Sequence, residues 1–400
     1  MEEREISKGK NMSVFIQSNG CIPNRLEGKK ISSFFSKIGW DIIGQPEKAD
    51  VIIFNSCGYS GTKMEESHRL LEGLIKVKQK GCRIYLAGCI DRIQPDFRRD
   101  FKSCSVIDIS ELGRTFNSEI MLDGLFISNN LIDILDTAKK DIYNIVTSKG
   151  CVGKCSYCAI RKARGLIKSK PEEAILDEFR QALGTGFRKF ILWGDDLGAY
   201  GLDISSTYIN LLKSLIGAAP DGVNYRFFLH RLNAQWIINH FAKFEEILAT
   251  EKIKLIYSPI QSGSNRILKI MNRNYEIEEV KKCFQLIKYY FPQIVLKTDI
   301  MVGFPTETEQ DFAETLNAIT EIKIDDIAVF KYSGVPNTPA YSMEGQIEEE
   351  EKEQRIQHLW KKFPQLRFSL EHEDGQYWVI DKEKCFRVPL QINCYTAALG

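Results

Sequence analysis

Between Met12 and about Leu122, short apolar runs alternate with segments whose apolar residues recur at helical spacing. The runs at 13–17 (SVFIQ), 51–56 (VIIFNS) and 83–88 (RIYLAG) have the length of buried strands, and each gives way to a Ser, Asn or Gly. RLEGKKISSFFSKIG and EESHRLLEGLIKVKQKG, which lie between them, read as helices. That alternation predicts a βαβ domain with a parallel sheet over 12–122. Residues 123–140 read as a connector. Six further apolar runs follow at 143–148, 189–194, 225–230, 254–260, 294–303 and 327–333, separated by helical segments such as PEEAILDEFRQALGTG and TEQDFAETLNAITEI. Six successive β/α units predict an α/β partial barrel, (β/α)6, over 141–343, with its chemistry at the carboxyl ends of the strands. A charged helix (IEEEEKEQRIQHLWKKF) and a short segment with room for about two strands complete 344–400, and the Glu348 to Glu351 run reads as a solvated face.

Composition narrows the class. The 400 residues are 44% hydrophobic, enough for two or three cored domains. No apolar run approaches the roughly 18 residues of a membrane span. The amino terminus has no signal-peptide pattern, so a reducing, cytoplasmic compartment and no membrane partner are expected. In that setting eleven cysteines are not a disulfide framework. Lys and Arg number 54 against 53 Asp and Glu, a net charge of +1 that gives no global push toward nucleic acid but leaves room for a local basic patch.

The cysteines carry the chemistry. Cys151, Cys155 and Cys158 form a C-x3-C-x2-C array just after the first barrel strand. Three thiolates leave one corner of a four-iron cube without a protein ligand, a place for a substrate or cofactor. Buried cysteines or a zinc knuckle lacking its fourth ligand fit the spacing as well. Cys21, Cys57 and Cys89 follow the three amino-terminal strands, at the edge where open α/β sheets bind ligands. Taken alone they read as ordinary core or loop residues. Cys82, Cys104, Cys283, Cys385 and Cys394 fit neither set and read as structural or free thiols.

GCVGKCSYCAIRKARG, with Tyr157 before its last cysteine, resembles the cluster loop of radical S-adenosylmethionine (SAM) enzymes. With PIQSGSNRILKIMNRNY, LKTDIMVGFPTETEQDFAETL and the amino-terminal cysteines in the same order, residues 12–343 are similar to the radical SAM methylthiotransferases, which modify tRNA adenosines or a ribosomal-protein aspartate. The resemblance implies two 4Fe-4S clusters. One, on Cys151, Cys155 and Cys158, would cleave SAM to a 5'-deoxyadenosyl radical; the other, on Cys21, Cys57 and Cys89, would deliver sulfur. It implies SAM contacts at Tyr157 and at Gly194, Asp195 and Asp196, where an Asp-rich turn is the plainer reading. Gln261 and Ser262, with Gly263 and Ser264, would meet the ribose or carboxylate, or else only start a helix. Thr298, Asp299 and Gly303, with Phe304 and Pro305, would shape the adenine end. Arg226 is a candidate for the SAM carboxylate, with a surface salt bridge as the alternative. Thr306 stands where the family usually has Gly, a departure expected to narrow the loop, and Lys170 stands where it commonly has Arg.

The family usually ends in a small β-barrel, the TRAM domain. GQYWVID resembles its opening strand, and the remaining residues are too few to complete five strands. That tail and the balanced charge favour methylthiolation of a protein or peptide side chain. The alternatives are a tRNA adenosine substrate and a non-catalytic iron-sulfur protein derived from the family. An electron donor such as flavodoxin or ferredoxin and a sulfur source are the implied partners.

Overall fold

In the computed structural model, residues 11–120, 142–363, 367–371, 377–381 and 386–390 are described. The connector expected at 123–140 lies outside them, as do Cys385 and Cys394. The chain divides into two compact units, Met1–Asn130 and Leu131–Gly400.

The first unit is a five-stranded parallel sheet in the order β2-β1-β3-β4-β5. Its strands are β1 (Ser13–Ser18), β2 (Asp41–Ile42), β3 (Val51–Ser56), β4 (Arg83–Gly88) and β5 (Cys104–Val106). All six residues of central β3 are buried, which is why VIIFNS reads as an unbroken run. Because β1 lies between β2 and β3, the chain moves outward in one direction from β1 and in the other from β3. Such a switch leaves a crevice at the carboxyl ends of those two strands. Helix Ile22–Lys37 covers one face of the sheet, packing Ile31, Phe34 and Phe35 against Val14, Val51 and Ile53. Helix Gly61–Val77 starts at Ser60, whose hydroxyl accepts from the Lys63 amide.

In the second unit β6 (Ile142–Val146), β9 (Lys189–Trp193), β10 (Arg226–His230), β11 (Ile253–Tyr257), β12 (Val295–Val302) and β13 (Asp326–Lys331) are successive parallel neighbours. These are the six expected strands. Their helices bury one face each. In Glu172–Gly184 that face is Ile175, Leu176, Phe179, Ala182 and Leu183, the stripe a 3.6-residue period produces. A two-residue ribbon, β7 (Ser148–Lys149) with β8 (Lys168–Ser169), closes the loop that follows β6. Past helix Glu349–Lys362, β14 (Arg367–Glu371) adds in parallel to β13, and β15 (Tyr377–Asp381) and β16 (Phe386–Leu390) add antiparallel. Backbone pairing thus joins the segment that resembles a TRAM strand to the edge of the barrel sheet. The glutamates at the start of the charged helix are not a purely solvated face: Glu349 pairs with Lys331, and Glu351 with the buried Arg355.

Candidate functional site

In the amino-terminal unit the fold brings Cys21, Cys57 and Cys89 together, one each from the loops after β1, β3 and β4. Burial, with the neighbouring Cys21 and Cys89, pushes the Cys57 thiol up to about 12. A buried amide network sets the loops. The Asn19 carbonyl oxygen accepts from the Cys57 amide at 3.0 Å, and its NH2 donates to Ser67 Oγ at 2.9 Å. Ser67 in turn donates to the Cys57 carbonyl at 2.7 Å. Asn24 accepts from the Gly20 amide at 3.0 Å and donates to the Ser56 carbonyl at 3.2 Å, tying the Cys21 loop to the end of β3. Gly88 has φ +92°, and a Cβ there would meet the Ser56 carbonyl at 2.2 Å, so only glycine lets β4 turn into Cys89 this close to β3. Ser18 Oγ, which packs against Gly28 of the helix after β1, and Asn55 Oδ1 are buried at the ends of β1 and β3 without hydrogen-bond partners.

In the barrel unit Cys151, Cys155 and Cys158 lie on one loop beyond β6. Its root is fixed by the ribbon, by the Cys151 amide donating to the Gly165 carbonyl at 3.2 Å, and by the Gly150 amide donating to Asp195 Oδ2 at 2.8 Å. The far side is stitched to the segment after helix Asn265–Ile270: Ser156 N donates to the Met271 carbonyl, and Asn272 Nδ2 to the Lys154 carbonyl at 2.8 Å. Burial, then Asp196 and the other two thiols, together push the Cys151 thiol up to about 12. The Cys158 thiol rises to about 11 from burial and from Cys155. A cationic centre replacing those protons removes that penalty. Among the described residues no three His, Cys, Asp or Glu groups converge tightly enough to hold a single metal ion.

Beside Cys155 a cleft is lined by Lys154, Asp196, Asn233, Trp236, Asn272 and Arg273. Arg273 lies 3.5 Å from Cys155 Sγ and is braced by Tyr275 and the Pro259 carbonyl. The Trp236 indole N–H donates to both oxygens of Asp196 at 3.0 Å. It fits there because Gly198 is bare: a Cβ would stand 2.2 Å from the indole. Burial raises the Asp196 carboxyl to about 6, against the pull of Trp236 and Arg273. Buried polar atoms without a hydrogen-bond partner among the described residues of this unit include Asn144 Nδ2, Ser148 Oγ, Ser258 Oγ and Gln261 Oε1. They belong to β6 and to the loops after β6 and β11, so the donors and acceptors a polar cofactor needs are present at the carboxyl side of the barrel.

The residues expected to meet SAM fall into two groups. Asp196 lines the cleft, Tyr157 sits in the cluster loop with its ring edge-on to Phe304, and Gln261, at φ +71°, bridges to Ile300 in β12. Others are committed to the fold. Asp195 anchors Gly150 and pairs with Arg164 at 3.7 Å. At Gly194 a Cβ would meet Ser148 Oγ at 2.9 Å, so this glycine admits the loop after β6. Ser262 bonds to Thr315 and to the Ser264 amide. Thr298 accepts from the Ile260 amide and donates to the Ser258 carbonyl. Asp299, buried and raised to about 6, takes the Tyr257 hydroxyl. A Cβ at Gly303 would meet the stem of Lys352 at 2.2 Å, so this glycine lets a side chain of the carboxyl-terminal helix pack against the loop. Arg226 begins β10, at the end of the strand away from the cysteines, and bonds Asn224 and the Tyr225 carbonyl. The structure does not bring it to the site. Arg273, Trp236 and Arg231, the last at φ +60° directly after β10, belong to this side of the barrel and were not singled out from the sequence. The polar MNRNY run was the available signal for Arg273.

Residues 145–319 match the family described as Radical SAM superfamily, and residues 13–108 match Uncharacterized protein family UPF0004. A probable threonylcarbamoyladenosine tRNA methylthiotransferase of Archaeoglobus fulgidus is 31% identical over 82% of this chain and 78% of its own length. The threonylcarbamoyladenosine tRNA methylthiotransferase of Xenopus laevis is 28% identical over 92% of this chain and 70% of its own. Among solved structures, the radical SAM methyltransferase TsrM of Kitasatospora setae aligns with a TM-score of 0.61 at 12% identity, covering 83% of this chain and 77% of that one, a likeness of fold.

Proposed function

This chain belongs to the radical SAM methylthiotransferase family, and from that premise we propose that it replaces a hydrogen of the adenine ring by a methylthio group on threonylcarbamoyladenosine in tRNA. The observation that carries the reading is the Archaeoglobus relative, whose name specifies that nucleoside and whose similarity runs through both cysteine-bearing domains. We set tRNA above the protein or peptide substrate that the net charge of +1 favoured, because a whole-chain sum hides a local excess of either sign.

Cys151, Cys155 and Cys158 would hold the SAM-cleaving 4Fe-4S cluster, and Cys21, Cys57 and Cys89 a second. When bound, the first supplies the electron that cleaves SAM and the second supplies sulfur; one SAM is consumed as radical source and another as methyl donor. The protein's own part is placement. Arg273 holds a positive charge against Cys155, and Asp196, fixed by Trp236, presents a carboxylate at the cleft for an ammonium group. Gln261 offers an unpaired carbonyl from the opposite loop. Low-potential electrons come from a donor of the flavodoxin or ferredoxin kind, and sulfur from an external source.

The test is anaerobic reconstitution of the chain, incubation with SAM, reductant, sulfide and tRNA bearing threonylcarbamoyladenosine, and mass spectrometry of the digested nucleosides. The expected product carries SCH3 in place of one ring hydrogen. Vigorous SAM cleavage with no methylthio nucleoside, and with a methylthiolated peptide instead, would replace tRNA by protein as the substrate.

A further inference from the structure

We propose that the loop segment from Lys149 to Lys170, which carries the barrel's cysteines, is also the surface that grips the phosphate backbone of the RNA. The proposal rests on the tRNA reading above and adds where the contact is made. Seven Lys and Arg and no Asp or Glu fall within this segment, in a chain whose totals are 54 and 53. At the chain's average a segment of this length would carry about three of each sign, and helix Ile160–Arg164 within it has no acidic residue at the i+4 spacing that balances an ordinary solvated face.

The structure keeps this charge available. Lys154, Lys162 and Lys168 are exposed. Lys154, Arg161 and Lys168 make no ion pair among the described residues, and the Lys162 ammonium donates only to the neutral Asn337 carbonyl. The nearby carboxylates are otherwise engaged. Asp195 takes the Gly150 amide and Arg164, Glu178 takes Lys170, and Asp203 takes the Ser169 amide and hydroxyl. The segment is also held in shape. Ser148 and Lys149 pair with Ser169 and Lys168, and Gly150 (φ +81°) and Gly165 (φ +79°) turn the chain at either end of the loop. At Gly150 a Cβ would meet the Leu166 carbonyl at 2.2 Å. With the backbone of the rim held, only the side chains lose conformational entropy on binding a polyanion. Lys154 belongs both to this rim and to the cleft beside Cys155, so phosphates seated on the rim bring a neighbouring base to the cleft.

The experiment measures binding of unfractionated tRNA to the full chain as a function of salt, for the wild type, for R161Q/K162Q/K168Q and for K162R/K168R. Each phosphate contact contributes about 0.7 to 0.9 to the slope of log K against log salt. The Gln variant is expected to lose about two to three from that slope and to bind at least about tenfold more weakly near physiological salt. The Arg variant, which keeps the charge, is expected to match the wild type, separating lost charge from a damaged loop. Equal slopes for the wild type and the Gln variant would overturn the proposal and leave the tRNA reading intact, with the grip elsewhere. Wild-type chain that neither binds tRNA nor forms a methylthio nucleoside would overturn both.

Discussion

The amino-terminal triad collects Cys21, Cys57 and Cys89 from three loops that only sheet topology brings together, whereas Cys151, Cys155 and Cys158 share one loop pinned at its root and its far side. In the first case three strand ends must be in register before any two thiols are neighbours, and buried Asn19, Asn24 and Ser67 hold the loops to that register. In the second the spacing is nearly local, and the long-range work falls to Met271, Asn272 and Arg273. The difference teaches that a dispersed site depends on its amides and a local site on what buttresses its loop. Damage to one kind of support should therefore spare the other triad.

The largest expected effects come from a pair of variants. Asn24→Ala leaves the buried Gly20 amide without its acceptor and the Ser56 carbonyl with the Cys89 amide alone, a cost of about 1–3 kcal/mol at the crevice. Iron bound per chain should fall by about half while SAM cleavage stays near wild type. Arg273→Ala should do the reverse, keeping the amino-terminal iron and lowering 5'-deoxyadenosine formation at least about tenfold, since a charge partner of Cys155 is gone. Equal loss of SAM cleavage in both variants would mean that the two regions are not supported independently.

Asp311 tests the buttress of the loop after β11. Its carboxylate accepts from Ser264 Oγ at 2.6 Å, from Arg266 and from the Thr308 amide at 2.8 Å, closing the capping box of helix Glu309–Ile322. Burial pushes this carboxyl up, but those hydrogen bonds pull it well below its ordinary 3.8. Asp311→Ala should cost about 2–3 kcal/mol in denaturant melts. A depressed native pKa stabilises above the unfolded value and is lost as pH falls through the native one. The gap between wild type and variant should then be constant above about pH 4 and narrow below it.

The smallest effect sharpens the account of the loop after β12. Thr306 has φ +68°, a left-handed conformation unfavourable for a β-branched residue, with its carbonyl held by Arg266 and its amide by Gly345. A glycine at this place would answer a backbone need rather than loop width. Thr306→Gly should stabilise the chain by about 1 kcal/mol, read as a higher melting temperature.

Much of this was legible where the physics is local. VIIFNS and KFILWG announce themselves because strands buried on both faces are apolar throughout, and the C-x3-C-x2-C loop is visible because its ligands are near in sequence. The edge strands β2 and β5 were not visible: they are two and three residues long and mostly exposed, so they carry no hydrophobic signature. Arg226 opens β10, and the direction of a parallel strand puts an opening residue at the end of the barrel away from the cysteines. Arg273 escaped notice because its contact with Cys155 spans 118 positions. The packing of Lys352 against the bare backbone of Gly303 is likewise a contact between distant parts of the chain.

The most direct test of the central claim, that one chain holds two cysteine sites with separate duties, is to measure 5'-deoxyadenosine and methylthiolated nucleoside side by side in two triple variants. Replacing Cys151, Cys155 and Cys158 by Ala should abolish both products and remove about four irons. Replacing Cys21, Cys57 and Cys89 should also remove about four irons, leaving 5'-deoxyadenosine formation in place while the methylthio product disappears. SAM cleavage that survives the first replacement, or methylthio product that survives the second, would contradict the account.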